Sequence, residues 1–375
     1  MSILENSVQI NNGLTETSAD GAVLAFDAKY GIMFCAYMPG QQGHYGESRG
    51  KIALSYFPAS QPTNIKFITV SEDKDVYCNN IIGLGDGKVR IFYEKDSRAE
   101  GDHAYCFKDF DFLYGTLSDE KTVMVKTEDG KLVPLSLSYE FKYLEERGYH
   151  NHKYVKTEQI GHCEYFKGED GYTYGAALSY LAEPILYRSE DNGATVEFFA
   201  VYPESVQYEF EYKILDGKIY AIYRTNRENN SISFTSSCDM GKNWSEPVNF
   251  EESIQCRPRI LVYNGHILTA YNYFNADTKN RPAVQQGRTS VRLRYGESLN
   301  PNENTLVADL YSKCGIVNIS VCDIMGDIYL AYSTSELALE FQNGNPKVRG
   351  KDAIRYVKLG DLIPKERDGK NYVLR

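Results

Sequence analysis

"SCDMGKNWSEP", residues 237–247, contains the only tryptophan of the chain, Trp244. Its polar frame, Ser237-x-Asp239-x-Gly241-x-x-Trp244, occurs 48 residues earlier as Ser189-x-Asp191-x-Gly193-x-x-Val196 in "SEDNGATVEFF". A frame that returns at such an interval marks a repeated structural unit. Each residue type has a physical task in it. The aspartate carboxylate can accept backbone N–H bonds across a tight turn. The glycine supplies a positive φ, and the large apolar residue anchors the strand that returns. Both copies therefore read as structural staples, and Asp239 is not a candidate catalytic acid.

Working outward, apolar strand-like runs fill the chain. Four share one form, strand, two-residue turn, strand, with turns at Asp86-Gly87, Asp216-Gly217, Asn264-Gly265 and Gly326-Asp327. That is the hairpin signal. Strand starts near residues 20, 78, 160, 208, 257 and 314 divide the chain into six units. The expected fold is all-β, a six-bladed β-propeller, each blade a small antiparallel sheet packed on its neighbours. Seven blades are the alternative, and a pair of β-sandwiches a more distant one. No linker divides the chain, so residues 1–375 read as one domain. The segment 125–160, with "GYHNHK", is least blade-like and is expected to be a long inserted loop; helical periodicity is confined to pieces such as "YEFKYLEERG".

Composition agrees with many short strands: 31 tyrosines, 17 phenylalanines and 30 glycines in 375 residues. The formal charge of −10 argues against nucleic acid or an anionic membrane as partner, while a local arginine cluster could still hold an anionic small molecule. No run is apolar enough to span a bilayer as a helix, and the N-terminus shows no secretory leader. The eight cysteines are dispersed without metal-type spacing, so they read as reduced thiols and the expected location is cytoplasmic, or secreted if a leader has been trimmed. No metal and no cofactor are expected; His150 and His152 read as loop histidines.

Ser-x-Asp-x-Gly-x-x-Trp on propeller hairpins is the Asp-box, and with it the chain resembles the sialidase (neuraminidase) superfamily of six-bladed propellers. More of the pattern follows in order. In "YEFEYKILDGKIYAIYRT", Glu209 precedes a hairpin and Arg224 comes 15 residues later. Arg288, in "GRTSVRLRY", lies 64 residues past Arg224, and Tyr311 stands in "DLYSKCGIVNISV". The resemblance covers about residues 160–335. It implies a retaining, metal-free exo-glycosidase acting on a terminal acidic sugar of a glycan, with Tyr311 as nucleophile, Glu209 as its proton acceptor, and Arg224 and Arg288 on the substrate carboxylate. The chemistry is coherent. A neutral phenol avoids the repulsion that an anionic nucleophile would meet beside that carboxylate, but its ordinary pKa of about 10 requires a base. A planar guanidinium binds carboxylate in two-point fashion, which lysine does not.

The chain also departs from the family. The segment "GLTETSADGAVLAF" lacks the first arginine of the sialidase triad. Arg49, in "GQQGHYGESRGKIALSYF", is the nearest substitute, and the same stretch offers His44 as a contact and Glu47 as general acid. His162 and Glu164 in "IGHCEYF", and Arg257 in "QCRPRILVY", open the third and fifth units and complete the candidate substrate contacts. Two other readings compete: a propeller polysaccharide lyase acting on uronates through a histidine and a tyrosine, and a non-catalytic glycan-binding propeller. Oligomeric state and sugar identity stay open.

Overall fold

The computed structural model describes residues 3–12, 19–39, 50–97, 102–149, 160–179, 182–206, 209–225, 232–250, 253, 256–273, 289–298, 300–312, 315–334, 338–342, 345–349, 353–367 and 370–375. Its strands form six blades around a ring, as the hairpin spacing predicts, not seven. Blade 4 shows the plan most simply: Phe210–Leu215, Lys218–Arg224, Ile232–Ser237 and Val248–Phe250 pair antiparallel in chain order, from innermost to outermost. Blade 5 repeats it with Arg259–Tyr263, His266–Asn272, Ser290–Gly296 and Thr305–Tyr311. Blades 1 and 2 share one long strand, Lys66–Gly85, whose first part pairs with Gly50–Pro58 and whose second part pairs with Lys88–Ser97. Blade 6 is built from both ends of the chain: Val317–Ile324, Asp327–Thr334 and Ala353–Gly360 are completed by Val8–Gln9.

Alternation along each strand explains why this sequence makes a ring. Successive side chains point to opposite faces, so each blade offers one apolar face to the blade before it and one to the blade after. In blade 4, Ile219, Ala221 and Tyr223 join Tyr174, Ala176 and Leu186 of blade 3. Ile222 and Phe234 join Ile260 and Tyr271 of blade 5. The pattern continues round the molecule, and the cluster that unites Ile324, Tyr329 and Tyr356 of blade 6 with Leu24, Met33 and Phe57 of blade 1 closes the circle. The abundant tyrosine is largely absorbed here: Tyr37, Tyr93, Tyr105, Tyr187 and Tyr212 are fully buried between blades.

The hairpin turns take the conformation expected of them. Asp86 and Gly87 have φ of 53° and 76°, Asp216 and Gly217 of 50° and 70°, Asn264 and Gly265 of 48° and 72°. Two successive positive φ values define the turn whose twist matches antiparallel strands. The fourth turn is one residue earlier than the sequence suggests. It is Met325-Gly326, with φ of 54° and 87°, and Asp327 already begins the next strand. Glycine thus occupies the second turn position in all four.

The segment 125–160 is not simply a loop. Met124–Lys126 pairs in parallel with the outer strand of blade 3, Leu132–Pro134 pairs on its far side, and a helix spans Leu137–Glu146. Ser136 caps the helix by accepting from Tyr139 N, and the Ser138 hydroxyl donates to Asp102 Oδ2 at 2.5 Å, fixing the helix to blade 2. Residues 150–159, including His150 and His152, lie outside the described residues. The six described cysteines carry free thiols, and no described helix is long and apolar enough to cross a membrane.

Candidate functional site

In this topology the first and third strands of every blade start at one face of the ring, where the second and fourth end. We call that the upper face. Glu209 precedes the first strand of blade 4 and Arg224 ends the second. The Arg224 amide donates to the Glu209 carbonyl at 2.9 Å, and Arg224 Nη1 lies 3.4 Å from Glu209 Oε2. The hairpin register produces this pair, and about a fifth of each side chain is exposed (21% and 17%). Tyr311 ends the fourth strand of blade 5, partly buried, opposite Ser290 in register. The Ser312 amide donates to the Thr289 carbonyl at 2.9 Å. Asn272 Nδ2 donates to the carbonyls of Ser290 (3.0 Å) and Ile316 (2.8 Å), which ties the strand partner of Tyr311 and the segment that follows Tyr311 to one side chain.

Deeper in the ring, the inner strands carry a charged lattice. Glu211 alternates with Phe210 and Tyr212 along its strand, and therefore faces blade 5 when those rings face blade 3. There it meets Arg259, whose side chain is 97% enclosed and whose guanidinium contacts Glu211 Oε1 through Nη1 and Glu164 Oε1 through Nη2 at 2.9 Å. Arg259 Nε donates to the Ile319 carbonyl of blade 6. Both Glu211 oxygens accept from the Glu164 amide, at 3.1 and 3.0 Å, and Arg257 Nη2 stands 3.4 Å from Glu211 Oε1. One guanidinium thus joins blades 3, 4, 5 and 6. Burial, then neighbouring Arg257, lower the Arg259 pKa, while Glu164, Glu211 and Glu209 oppose the shift. A buried charge needs such partners to remain charged. Burial raises the Cys322 thiol to about 12, with Glu164 adding to the shift, so this thiol is inert at neutral pH.

The two Ser-x-Asp-x-Gly frames lie at the opposite, lower face, between the third and fourth strands of blades 3 and 4. Ser189 Oγ donates to Asp191 Oδ1 (2.8 Å), Gly193 N donates to Ser189 Oγ (2.7 Å) and Thr195 N to Asp191 Oδ1 (2.7 Å). The second copy has the same bonds: Ser237 Oγ to Asp239 Oδ1, Gly241 N to Ser237 Oγ and Asn243 N to Asp239 Oδ1, each 2.8 Å. A Cβ on Gly193 would stand 2.8 Å from the Phe92 ring, and one on Gly241 would stand 2.5 Å from Ala200 Cβ. Each glycine is pressed against the preceding blade. Trp244 packs edge-on to Tyr202 at 4.9 Å and donates to the Gly241 carbonyl at 3.1 Å, while Val196 is buried between blades 2 and 3.

Among the sequence candidates, Glu209, Arg224, Tyr311, Arg257 and Glu164 share the upper end of blades 3, 4 and 5. Glu47, Arg49, His44 and Arg288 lie outside the described residues, and of His162 only the backbone, in the strand Ile160–His162, is described. Sequence reasoning gave no role to Glu211 or Arg259. A carboxylate alternating with aromatics in an inner strand, and a second arginine two residues after Arg257, were the signals available.

No family pattern and no curated protein sequence matches the chain. Solved structures do. A protein of unknown function from Dyadobacter fermentans is 11% identical over 94% of this chain and 97% of its own, with a TM-score of 0.60. The Trypanosoma rangeli sialidase in complex with sialic acid is 12% identical over 95% of this chain, with a TM-score of 0.56. The chain spans only 57% of that sialidase's length. The NanB sialidase of Streptococcus pneumoniae is 12% identical over 94% of this chain and 70% of its own, with a TM-score of 0.53. At such identities the likeness is one of fold: the chain is a six-bladed β-propeller similar to those of sialidases.

Proposed function

We propose that the protein is a glycoside hydrolase of sialidase type that removes a terminal acidic sugar from a glycan with retention of configuration. The observation that carries this reading is the hydrogen-bonded Glu209–Arg224 pair at the upper end of blade 4, with Tyr311 at the same end of the adjoining blade 5. The two Ser-x-Asp-x-Gly turns, read as Asp-boxes, support it.

In the first step the Tyr311 oxygen bonds to the anomeric carbon while the glycosidic C–O bond breaks. Glu209 takes the phenolic proton and Glu47 gives its proton to the departing oxygen. Water then attacks the same carbon from the leaving-group side, losing a proton to Glu47, and the tyrosyl oxygen recovers its own from Glu209. Arg224 and Arg288 hold the substrate carboxylate. Arg257, with Arg49 and His44, takes the part of the absent first arginine, and His162 and Glu164 contact the sugar rim. No metal has a role in these steps.

A panel of aryl glycosides bearing sialic acid, its deaminated analogue, glucuronate and arabinose tests the reading. Release of aryl alcohol from one acidic sugar, lost in Tyr311→Phe and Glu209→Gln with the melting temperature retained, is the expected result. A fully active Tyr311→Phe rejects the nucleophile. A product absorbing in the ultraviolet through a new double bond identifies a lyase instead.

A further inference from the structure

Lys213 is a buried charge for which the proposed reaction has no use. It belongs to the innermost strand of blade 4, Phe210–Leu215, and is only 6% exposed. Among the described residues no carboxylate pairs with it, and its ammonium stands 4.4 Å from the centre of the Phe166 ring in blade 3. An aromatic face attracts a cation but supplies no counter-charge. A buried ammonium without one is costly, and folded proteins seldom keep a lysine in that state.

The strand decides where the ammonium lies. Side chains alternate, so Lys213 leaves the strand on the same side as Glu211, and Tyr212 leaves on the other. Tyr212 packs edge-on to Phe166 at 5.1 Å. The lysine therefore starts on the side away from Phe166, yet ends over that ring. One edge of the strand is closed by pairing with Lys218–Arg224, so the side chain passes round the open edge. That edge borders the channel at the centre of the ring. Glu211 takes the same route, meeting Arg259 of blade 5 and the Glu164 amide of blade 3. Burial, then Glu211, raise the pKa of the Cys163 thiol in blade 3, while Lys213 and Arg257 oppose them. These charges thus stand around one buried atom.

The acids at this level are already engaged. Glu211 Oε1 meets Arg259 and Arg257, and Glu164 Oε1 meets Arg259. We propose that the axial channel binds a small monovalent anion, chloride or an ion like it, held by the Lys213 ammonium. A polyanion such as phosphate is a poorer fit, because Glu211 lies two residues away on the same side of the strand and would repel it more strongly.

Melting temperatures in sodium chloride and in sodium gluconate at equal ionic strength test this. Chloride at ten times its dissociation constant should raise the melting temperature by about 2 °C, because only the folded ring binds it. Lys213→Met, which keeps the length of the side chain and removes its charge, should melt at one temperature in both salts. A crystal soaked in sodium bromide should show an anomalous peak beside Lys213 Nζ. None of these readouts needs turnover, so their outcome is independent of the glycosidase reading. Equal melting of the unsubstituted protein in both salts overturns the proposal and leaves the channel to water. A chloride effect that survives Lys213→Met also overturns it, since the ion then acts elsewhere. So do bromide peaks confined to the outer surface, a result that holds even if the variant does not fold.

Discussion

The two faces of the ring solve one problem by different means. At the upper face, Arg259, Glu211, Glu164 and Arg257 bury charge in a lattice that crosses four blades and joins residues 48 apart, Glu211 and Arg259, in sequence. At the lower face, Ser237, Asp239 and Gly241 satisfy one another and their own backbone within five residues. A turn of that local kind tolerates a changed neighbour, as Val196 in place of tryptophan shows. The lattice offers no such tolerance, because each member is the counter-charge of another. Function that needs fixed guanidinium and carboxylate positions belongs where geometry is set by many strands at once.

The comparison is broken most severely at Arg259. Arg259→Met leaves Glu211 buried without its main counter-charge, and should destabilise the fold by about 3–5 kcal/mol in urea unfolding. Adding Glu211→Leu should return a good part of that loss, because the pair removed together leaves no buried charge. Gly241→Ala comes next. The new methyl meets Ala200 Cβ at 2.5 Å on a backbone with φ of 87°, for an expected cost of about 2–3 kcal/mol. Gly217→Ala, where nothing stands within 4 Å, should cost only about 1 kcal/mol.

Trp244→Val converts the second frame into the first. The indole is part-buried, so the expected cost is about 1–2 kcal/mol, below that of a fully buried aromatic. In the unsubstituted protein the lone indole serves as a fluorescence probe of the contact between blades 3 and 4. The smallest effect is electrostatic. The Asn243 side chain and amide, then the Ser237 hydroxyl, hold Asp239 down to about 2 from an ordinary 3.8. The folded state thus favours the carboxylate, a stabilisation present above the unfolded pKa and lost as pH falls through about 4 towards 2. Asp239→Asn should flatten that part of the stability–pH curve, and an unchanged slope would show that the turn does not hold the charge.

What the chain reveals about itself follows the same division. Hairpins are local, so turns such as Asp216-Gly217 and strand starts near 208 and 257 could be read directly, as could the Glu209–Arg224 spacing that one hairpin fixes. The Met325-Gly326 turn was displaced by one residue because Gly-Asp and Met-Gly are both acceptable on paper, and only the strand register chooses between them. The helix Leu137–Glu146 carried its own period, yet the strands beside it were hidden, since Met124–Lys126 becomes a strand only by pairing with Thr195 and Val196. Arg259 lay in plain view as a strand-opening residue. Its partners sit in three other blades, and no spacing announces them.

Blade 6 takes its outer strand, Val8–Gln9, from the beginning of the chain and its other three from the end. Synthesis must therefore reach Ala353–Gly360 before the circle can shut. Blade 1 has no neighbour on one side until Val317–Thr334 emerges, and the opening segment has no edge to pair with until Ala353–Gly360 follows. Clipping at either terminus should thus act like undoing a clasp, loosening a distant blade as readily as the near one.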